Sequence, residues 1–331
     1  MKRILIIQTA SLGDVILATP LIEKLHRFYP GSRIDFLLKY GNESLLRGHP
    51  YLKHVMVWDK NEKKYGHLLE LLKIIRQEKY DLVVNAQRFV SSGLLTAFSK
   101  AKHTTGFKKN PLSLLFTKRV SHKIGVTGNN PHETERNLKL IEHLTDKTFF
   151  KPVLYPSQHD YALVSQYKTH KFITVSPASL WFTKQYPKEK WVEFIKDLDD
   201  DLTVYFLGGE NDRALCDEIM ELSGHKNSLN LAGKLTLLQS AALMKDAAMN
   251  YTNDSAPMHL CSAVNAPVAA IFCSTVPQFG FGPLSEKSLV IETGQHLKCR
   301  PCGIHGRKSC PEKHFECAMS INKNQLLSCI Q

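Results

Sequence analysis

Short apolar or β-branched runs alternate along the chain with amphipathic stretches of helical length, the pattern of a parallel sheet joined by crossover helices. In the first half, Arg3 to Gln8, Arg33 to Leu38, His54 to Trp58 and Asp81 to Asn85 read as strands. In the second, Phe172 to Ser176, Thr203 to Leu207, Met249 to Thr252 and Val268 to Phe272 do the same. Two such series predict an α/β protein of two Rossmann-like doubly wound domains, 1–155 and 156–331. They part somewhere between Lys151 and Lys171, where Pro152, Pro156 and a polar run interrupt the pattern. A length of 331 residues suits two cores of about 150 residues each. Ligands of open parallel sheets bind beyond the carboxyl ends of the strands, so two domains facing across a cleft would share an active site there.

After the first strand, TASLGD leads into a helix whose apolar face is Val15, Ala18, Leu21, Ile22 and Leu25. Asp14 therefore sits at the strand-to-helix turn. It is expected there as the N-cap, and its carboxylate is also placed to take a proton from a substrate hydroxyl. Pro20 fits the helix only if the helix begins late, and otherwise kinks it. The second half opens with FITVSPASLWFTKQYPKEKW, a strand, a loop with Ser176, Ser179, Thr183 and Lys184, and a helix from about Lys188. Hydroxyls, a lysine and free amides at a strand's end make a phosphate site. In FLGGENDR, Gly208 and Gly209 permit a tight turn and Glu210 is placed to hold a ribose or base edge. In MNYTNDSAPMHLCSAVNAPVAAIF, Asp254 and Ser255 form the turn before a small-residue helix that carries His259. The amides at such a helix start favour a bound diphosphate.

Composition narrows the class. Apolar residues make up 43% and charged residues 22%, and no run approaches the roughly 20 apolar residues of a membrane span, which argues against disorder and a spanning anchor. The opening MKRILIIQTASLGD starts positively charged, like a secretion signal, but its apolar run ends after Ile7, so it reads as a first strand of a cytosolic protein. The net charge of +12 is uneven. Residues 1–155 hold 26 Lys/Arg against 13 Asp/Glu, and residues 156–331 hold 17 against 18. No acidic residue falls between Asp81 and Glu133, where Arg88, Lys100, Lys102, Lys108, Lys109, Lys118, Arg119 and Lys123 occur. Such a first domain attracts polyanions. From Lys100 to Lys123, basic residues flank an apolar run, Pro111 to Phe116, a combination that suits peripheral binding to an anionic membrane surface. Near the carboxyl end, Cys299, Cys302, Cys310 and Cys317, with His305 and His314 nearby, could form a zinc site or be reduced thiols packed in a loop.

Four of these segments in order, SLGDVILATP, SPAS followed by TKQYP and Trp191, FLGGE, and DSAPMHLCSAVNAPVAAIF, resemble glycosyltransferase family nine, the lipopolysaccharide heptosyltransferases. The resemblance spans nearly the whole chain. It implies the GT-B fold, an N-terminal acceptor-binding domain, a C-terminal donor-binding domain, and inverting transfer from ADP-heptose that requires no cofactor. It makes Asp14 the general base and Lys184 a catalytic contact to donor phosphate or sugar. Ser179, Lys184, Glu210, Asp254, Ser255 and His259 would line the donor site. His132 and Arg136, with the family's spacing of four within a helix, would bind the acceptor. Three positions depart from the family's pattern: Ala256 stands where glycine is usual, Tyr186 where tryptophan is, and Leu180 where some members have a hydroxyl residue. The implied partners are a nucleotide sugar, an acidic glycolipid and the anionic inner face of the inner membrane.

Three other readings compete. A nucleic-acid-binding protein would explain a sequence pI near 9.2, but the basic stretch lacks interleaved aromatics and no common nucleic-acid module is visible. A nucleotide-sugar epimerase of similar fold would need neither an acidic acceptor nor polarised charge. An inactive sugar-binding relative would be expected to lack Asp14 or Lys184, and both are present.

Overall fold

The computed structural model describes residues 1–60, 64–125 and 130–330. Two compact units emerge: Met1–Ile124 with Pro131–Tyr155, and Pro156–Gln331 with Gly125–Asn130. The first unit holds β1 (Arg3–Ile7), β2 (Arg33–Lys39), β3 (Leu52–Trp58), β4 (Leu82–Asn85), β5 (His103–Phe107) and β6 (Lys118–Val120), in the order β3-β2-β1-β4-β5-β6. Its helices are α1 (Leu12–Phe28), α2 (Lys64–Glu78), α3 (Val90–Ala97) and α4 (Glu133–Leu138). The second unit holds β7 (Phe172–Ser176), β8 (Thr203–Phe206), β9 (Ser228–Asn230), β10 (Met249–Asn253), β11 (Val268–Phe272) and β12 (Ser288–Glu292), in the order β12-β11-β10-β7-β8-β9. Around them run α5 (Gln158–Val164), α6 (Lys188–Lys196), α7 (Arg213–Ser223), α8 (Leu237–Met244), α9 (Ala256–Ala263), α10 (Glu316–Met319) and α11 (Lys323–Leu327).

Both sheets are parallel throughout and share one topology. The strand order reverses between β1 and β4 in one and between β7 and β10 in the other, so each sheet has a switch point at its carboxyl edge where a ligand crevice opens. One face of each sheet carries a dry core. In the first unit Leu5, Ile7, Leu37, Trp58 and Val83 pack on Leu68, Leu71 and Ile75 of α2. In the second, Val175, Val204, Tyr251 and Ile271 pack with Trp191, Phe194 and Ile195 of α6 and Ile219 of α7.

The eight strands expected from apolar runs all form, and β5, β6, β9 and β12 are additional. The added strand β5, HTTGF, lies inside the basic stretch. Its two threonines and Phe107 are buried, and Gly106 is required because a Cβ there would stand 2.6 Å from the Phe116 ring. The expected apolar run Pro111 to Phe116 is thus divided: Phe116 fills the core beside Gly106, while Leu114 and Leu115 are exposed. Helix α5 falls in the stretch expected only to interrupt the pattern. It is nucleated by Ser157 and Asp160, each capping the other's backbone amide.

The start of α1 corrects the expected cap. Ser11 is the N-cap, taking the Asp14 N–H at 3.4 Å, and Asp14 stands at the third helical position. There its Oδ2 accepts the Ser11 N–H at 3.1 Å and the Ser11 hydroxyl at 2.5 Å. Because the helix starts at Leu12, Pro20 lies in its interior and cannot donate to the Ile16 carbonyl. The Thr19 hydroxyl donates to that carbonyl instead, at 2.8 Å, and accepts the Val153 N–H at 3.1 Å. Thr19→Val keeps the shape of the side chain but leaves the buried Ile16 carbonyl and the partly buried Val153 N–H without this partner, a loss of about 1–3 kcal/mol at the buried group. We expect a lowered urea midpoint with an unchanged slope. A midpoint equal to wild type would mean that the proline is accommodated some other way.

Candidate active site

The second sheet's switch point carries a cluster of polar side chains. The loop after β7 brings in Lys184, and the turn between β10 and α9 brings in Asp254. Lys184 Nζ lies 2.7 Å from Asp254 Oδ2, both side chains largely buried. The same oxygen accepts the Thr275 hydroxyl at 2.6 Å from the turn after β11. The pair holds the ammonium in one place at the carboxyl edge.

Three further groups build this arrangement: Arg300 and Gly306 were not expected from the sequence, and Thr183 was expected in another role. Thr183, read as one of the phosphate-binding hydroxyls, is fully buried. Its hydroxyl accepts the Arg307 N–H at 2.8 Å and the Ser274 hydroxyl at 3.0 Å, so it fastens the loop and is not available to a ligand. Gly306 lies against the Lys184 stem with φ +76°, and a Cβ there would stand 2.8 Å from Lys184 Cγ. Arg300 spans the end of β11: its guanidinium donates to the carbonyls of Phe272, Cys273 and Thr275 at 3.1, 2.7 and 2.9 Å and to Glu292 at 2.6 Å. Through Thr275 this fork fixes the turn that meets Asp254. An arginine between two cysteines carries no local signal of such a role, because its acceptors are backbone groups distant in sequence.

The remaining donor-site candidates surround the same edge. Ser179 is partly exposed, with its N–H on Gln185 Oε1 at 3.2 Å. Ser255 is the N-cap residue of α9, and Pro257 occupies the second helical position. His259, one turn on, is buried. Asn253 anchors the two loops together, its amide oxygen taking the Tyr186 N–H at 2.9 Å and its amide nitrogen donating to the Pro177 carbonyl at 2.8 Å. Tyr186 itself is buried against Trp191, with ring centroids 5.1 Å apart. Glu210 follows β8, exposed and held by a two-pronged bond to Arg213, which lowers its carboxyl below the ordinary value. Gly233, with φ +75°, passes so close that a Cβ would meet Glu210 Oε2. The glycines of FLGGE serve packing here: Gly208 makes room for Asp212, and neither Gly208 nor Gly209 needs a left-handed backbone.

In the first unit, the carboxyl edge gathers Asp14 after β1, Arg88 after β4 and Lys108 and Lys109 after β5. Gln8 and Gln87, both buried, bond to one another and tie the first two of these loops. His132 is the N-cap of α4, outside the helix, its ring accepting the Thr134 N–H at 3.2 Å. Arg136 is buried and donates to Glu133 at 2.6 Å. Glu133, not foreseen, also receives His122 Nε2 at 3.0 Å. Burial alone would raise its carboxyl, but the His122 bond and charge and the Arg136 charge outweigh it and hold the pKa below the ordinary value. Lys109, partly desolvated and beside Arg88 and Arg136, has its ammonium lowered.

The cysteines do not assemble as the zinc expectation requires. Among the described residues no group of three or more His, Cys, Asp or Glu side chains is arranged to hold a metal ion. Cys317 is packed in the second unit's core and pushed up to about 12 by burial. Cys302 Sγ points at the Cys299 carbonyl at 3.3 Å, and Cys299 Sγ lies 4.0 Å from His314 Nε2. Zinc at this loop is therefore unsupported, and we assign it no role.

Two doubly wound parallel sheets, each with a switch point at its carboxyl edge, place the chain in the GT-B fold class. The profile of glycosyltransferase family 9 (heptosyltransferase) matches residues 68–314, and the chain belongs to that family. It is 27% identical over 304 residues to lipopolysaccharide heptosyltransferase 3 of Escherichia coli strain K12, covering 86% of each chain. Among solved structures it is similar to E. coli ADP-heptose lps heptosyltransferase II, with a TM-score of 0.80, 23% identity and coverage of 100% of this chain and 97% of that one. It is also similar to E. coli heptosyltransferase WaaC with ADP, with a TM-score of 0.72, 19% identity and coverage of 99% and 98%.

The Arg300 fork generates a direct test. Arg300→Gln removes charge-assisted bonds worth about 1.5–3 kcal/mol each in favourable settings and leaves three carbonyls and Glu292 short of a donor. The expected result is a loss of roughly 2–4 kcal/mol in unfolding free energy, only partly recovered in Arg300→Lys because an ammonium lacks the planar fork. Denaturant unfolding measures it. Full recovery by lysine would show that charge alone suffices.

Proposed function

We propose that the chain is an inverting heptosyltransferase that moves heptose, or a related sugar, from ADP-heptose to an acidic lipopolysaccharide-core acceptor, without requiring a metal. The observation that carries this reading is the Lys184–Asp254–Thr275 cluster at the second sheet's switch point. The names of the relatives support the substrate: several act on lipopolysaccharide, and one similar structure contains ADP.

In this reading the second unit binds the donor and the first binds the acceptor. An acceptor hydroxyl attacks the anomeric carbon as Asp14 takes its proton, and the configuration inverts. Nucleotide diphosphate departs as charge develops beside Lys184, Ser179 and the start of α9 at Ser255, where fixed donors stabilise it in place of a metal. Asp254 keeps Lys184 positioned, Glu210 holds the nucleoside, and His259 supports the donor pocket. The acidic acceptor meets Arg88, Lys109, His132 and Arg136 in the first unit. The enzyme works in the cytoplasm, peripherally at the inner face of the inner membrane. Among the described residues no helix is long and apolar enough to cross a membrane. Family membership favours this reading over a nucleic-acid-binding protein or an epimerase.

A panel of nucleotide sugars, with transfer followed by mass, tests the substrate directly: ADP-heptose should be used in preference to the others. Lys184→Ala should weaken ADP binding at least tenfold, about 1.4 kcal/mol, since the variant leaves Asp254 to repel the diphosphate. Unchanged ADP affinity by calorimetry together with an intact rate would place the donor elsewhere.

A further inference from the structure

We infer that a cavity at the outer edge of the first sheet binds a small phosphate monoester with an apolar body. It lies apart from the donor and acceptor positions of the proposed reading and does not depend on that reading. The cavity has a volume of about 490 Å³ and is framed by the turn Glu43–Leu46, the loop after it and the first residues of β3. β3 is the edge strand, paired only with β2. Its lining residues begin at Leu52, which stands beside Ile34 in the amino half of β2, whereas Asp14 follows the carboxyl end of β1. The register is broken where the cavity opens. Ile34 pairs with Leu52 and Asp35 with His54, so Lys53 is an extra residue, a bulge of a kind rare in parallel pairs and suited to re-aiming side chains. In a regular strand Lys53 and His54 would point to opposite faces. Here both are exposed and both line the cavity.

Arg47 joins them from the preceding loop, exposed as well. Among the described residues none of these three side chains makes an ion pair or a hydrogen bond, and no acidic residue occurs between Glu43 and Asp59. Glu43 is the acid on the wall, and its Oε2 already accepts the Gly41 N–H at 2.7 Å. The walls are fixed before any ligand arrives. Asn42, just before the turn, donates to the Ala10 carbonyl at 3.2 Å. His49 is the buried member of the wall, its side chain 2% exposed. Its Nδ1 accepts the Tyr51 N–H at 3.3 Å, and its ring meets Tyr155 edge-on at 4.8 Å. Leu46, Leu52 and Val55 add apolar surface. A preformed cavity of this size fits a small organic ligand. A guanidinium, an ammonium and an imidazole around one opening, none of them paired, suit the oxygens of a dianionic phosphate. The apolar wall suits the body to which that phosphate is attached, so a free phosphate meets only the first condition.

The test is calorimetry of the whole chain with phenyl phosphate, inorganic phosphate and phenol as probes. Phenyl phosphate should bind more tightly than inorganic phosphate, and phenol should show no measurable heat. Arg47→Ser with Lys53→Ser should weaken phenyl phosphate about tenfold or more, because two unpaired cations leave the opening. Both side chains are exposed and unpaired, so thermal melting should show this variant folded as wild type. Lys184→Ala should bind phenyl phosphate as wild type does, which separates the cavity from the proposed donor site and keeps the outcome independent of the transferase reading. No binding of phenyl phosphate, undiminished binding by the double variant, binding lost in Lys184→Ala, or equal affinity for inorganic phosphate would overturn the inference.

Discussion

Asp254 Oδ2 is shared between the Lys184 ammonium and the Thr275 hydroxyl, and the carboxyl edge of the second sheet is organised around that oxygen. A largely buried carboxylate is costly unless it is paired and hydrogen-bonded, and a largely buried ammonium likewise. Each partner is therefore delivered by a separate loop that is fastened in turn. Thr183 locks the lysine loop to Ser274 and Arg307, Asn253 locks the same loop to β10, and Arg300 locks the turn that carries Thr275. A local cluster of this kind does little for stability by itself. In the proposed reading its effect is to keep one positive charge fixed before the donor arrives, so that less reorganisation is needed when charge develops.

The first unit follows a different electrostatic plan. Its buried charges are satisfied internally: Asp35 by Arg33 and Tyr80, Lys24 by Asp146 and two carbonyls, Glu133 by His122 and Arg136. The excess of lysine and arginine is carried largely on the surface, with Arg88, Lys108 and Lys109 on the loops after β4 and β5. An edge with few acids near it attracts anions over a distance, while the paired interior keeps the fold insensitive to that excess.

Much of this was legible in the sequence because β-branched runs flanked by turn residues leave few alternatives to a parallel sheet. The central strands, buried on both faces, were legible for that reason. The strands β5, β6 and β9 were not, since HTTGF, KRV and SLN lack a continuous apolar signal and owe their place to neighbours: Phe116 against Gly106, or an edge left open. Asp14, Lys184 and Asp254 could be placed at strand ends from spacing alone, but their bonds could not. The cap of α1 was assigned to Asp14 and α5 was missed, although a Ser-x-x-Asp pattern stands at both Ser11 and Ser157. Arg300 and Gly306 were invisible and Thr183 was read as a phosphate ligand, because each acts on backbone or side chains brought near only by the fold. His132 and Arg136 illustrate the same limit: four residues apart, one caps a helix and the other is buried on Glu133.

The central claim is that Asp14 removes the acceptor's proton while the second unit holds the donor. It is tested most directly by single-turnover transfer from ADP-heptose in Asp14→Asn, alongside ADP-heptose affinity by calorimetry. Asparagine can still accept the Ser11 amide, so the helix start should persist and donor affinity should equal wild type. Transfer should be abolished. Turnover near the wild-type rate would contradict the account.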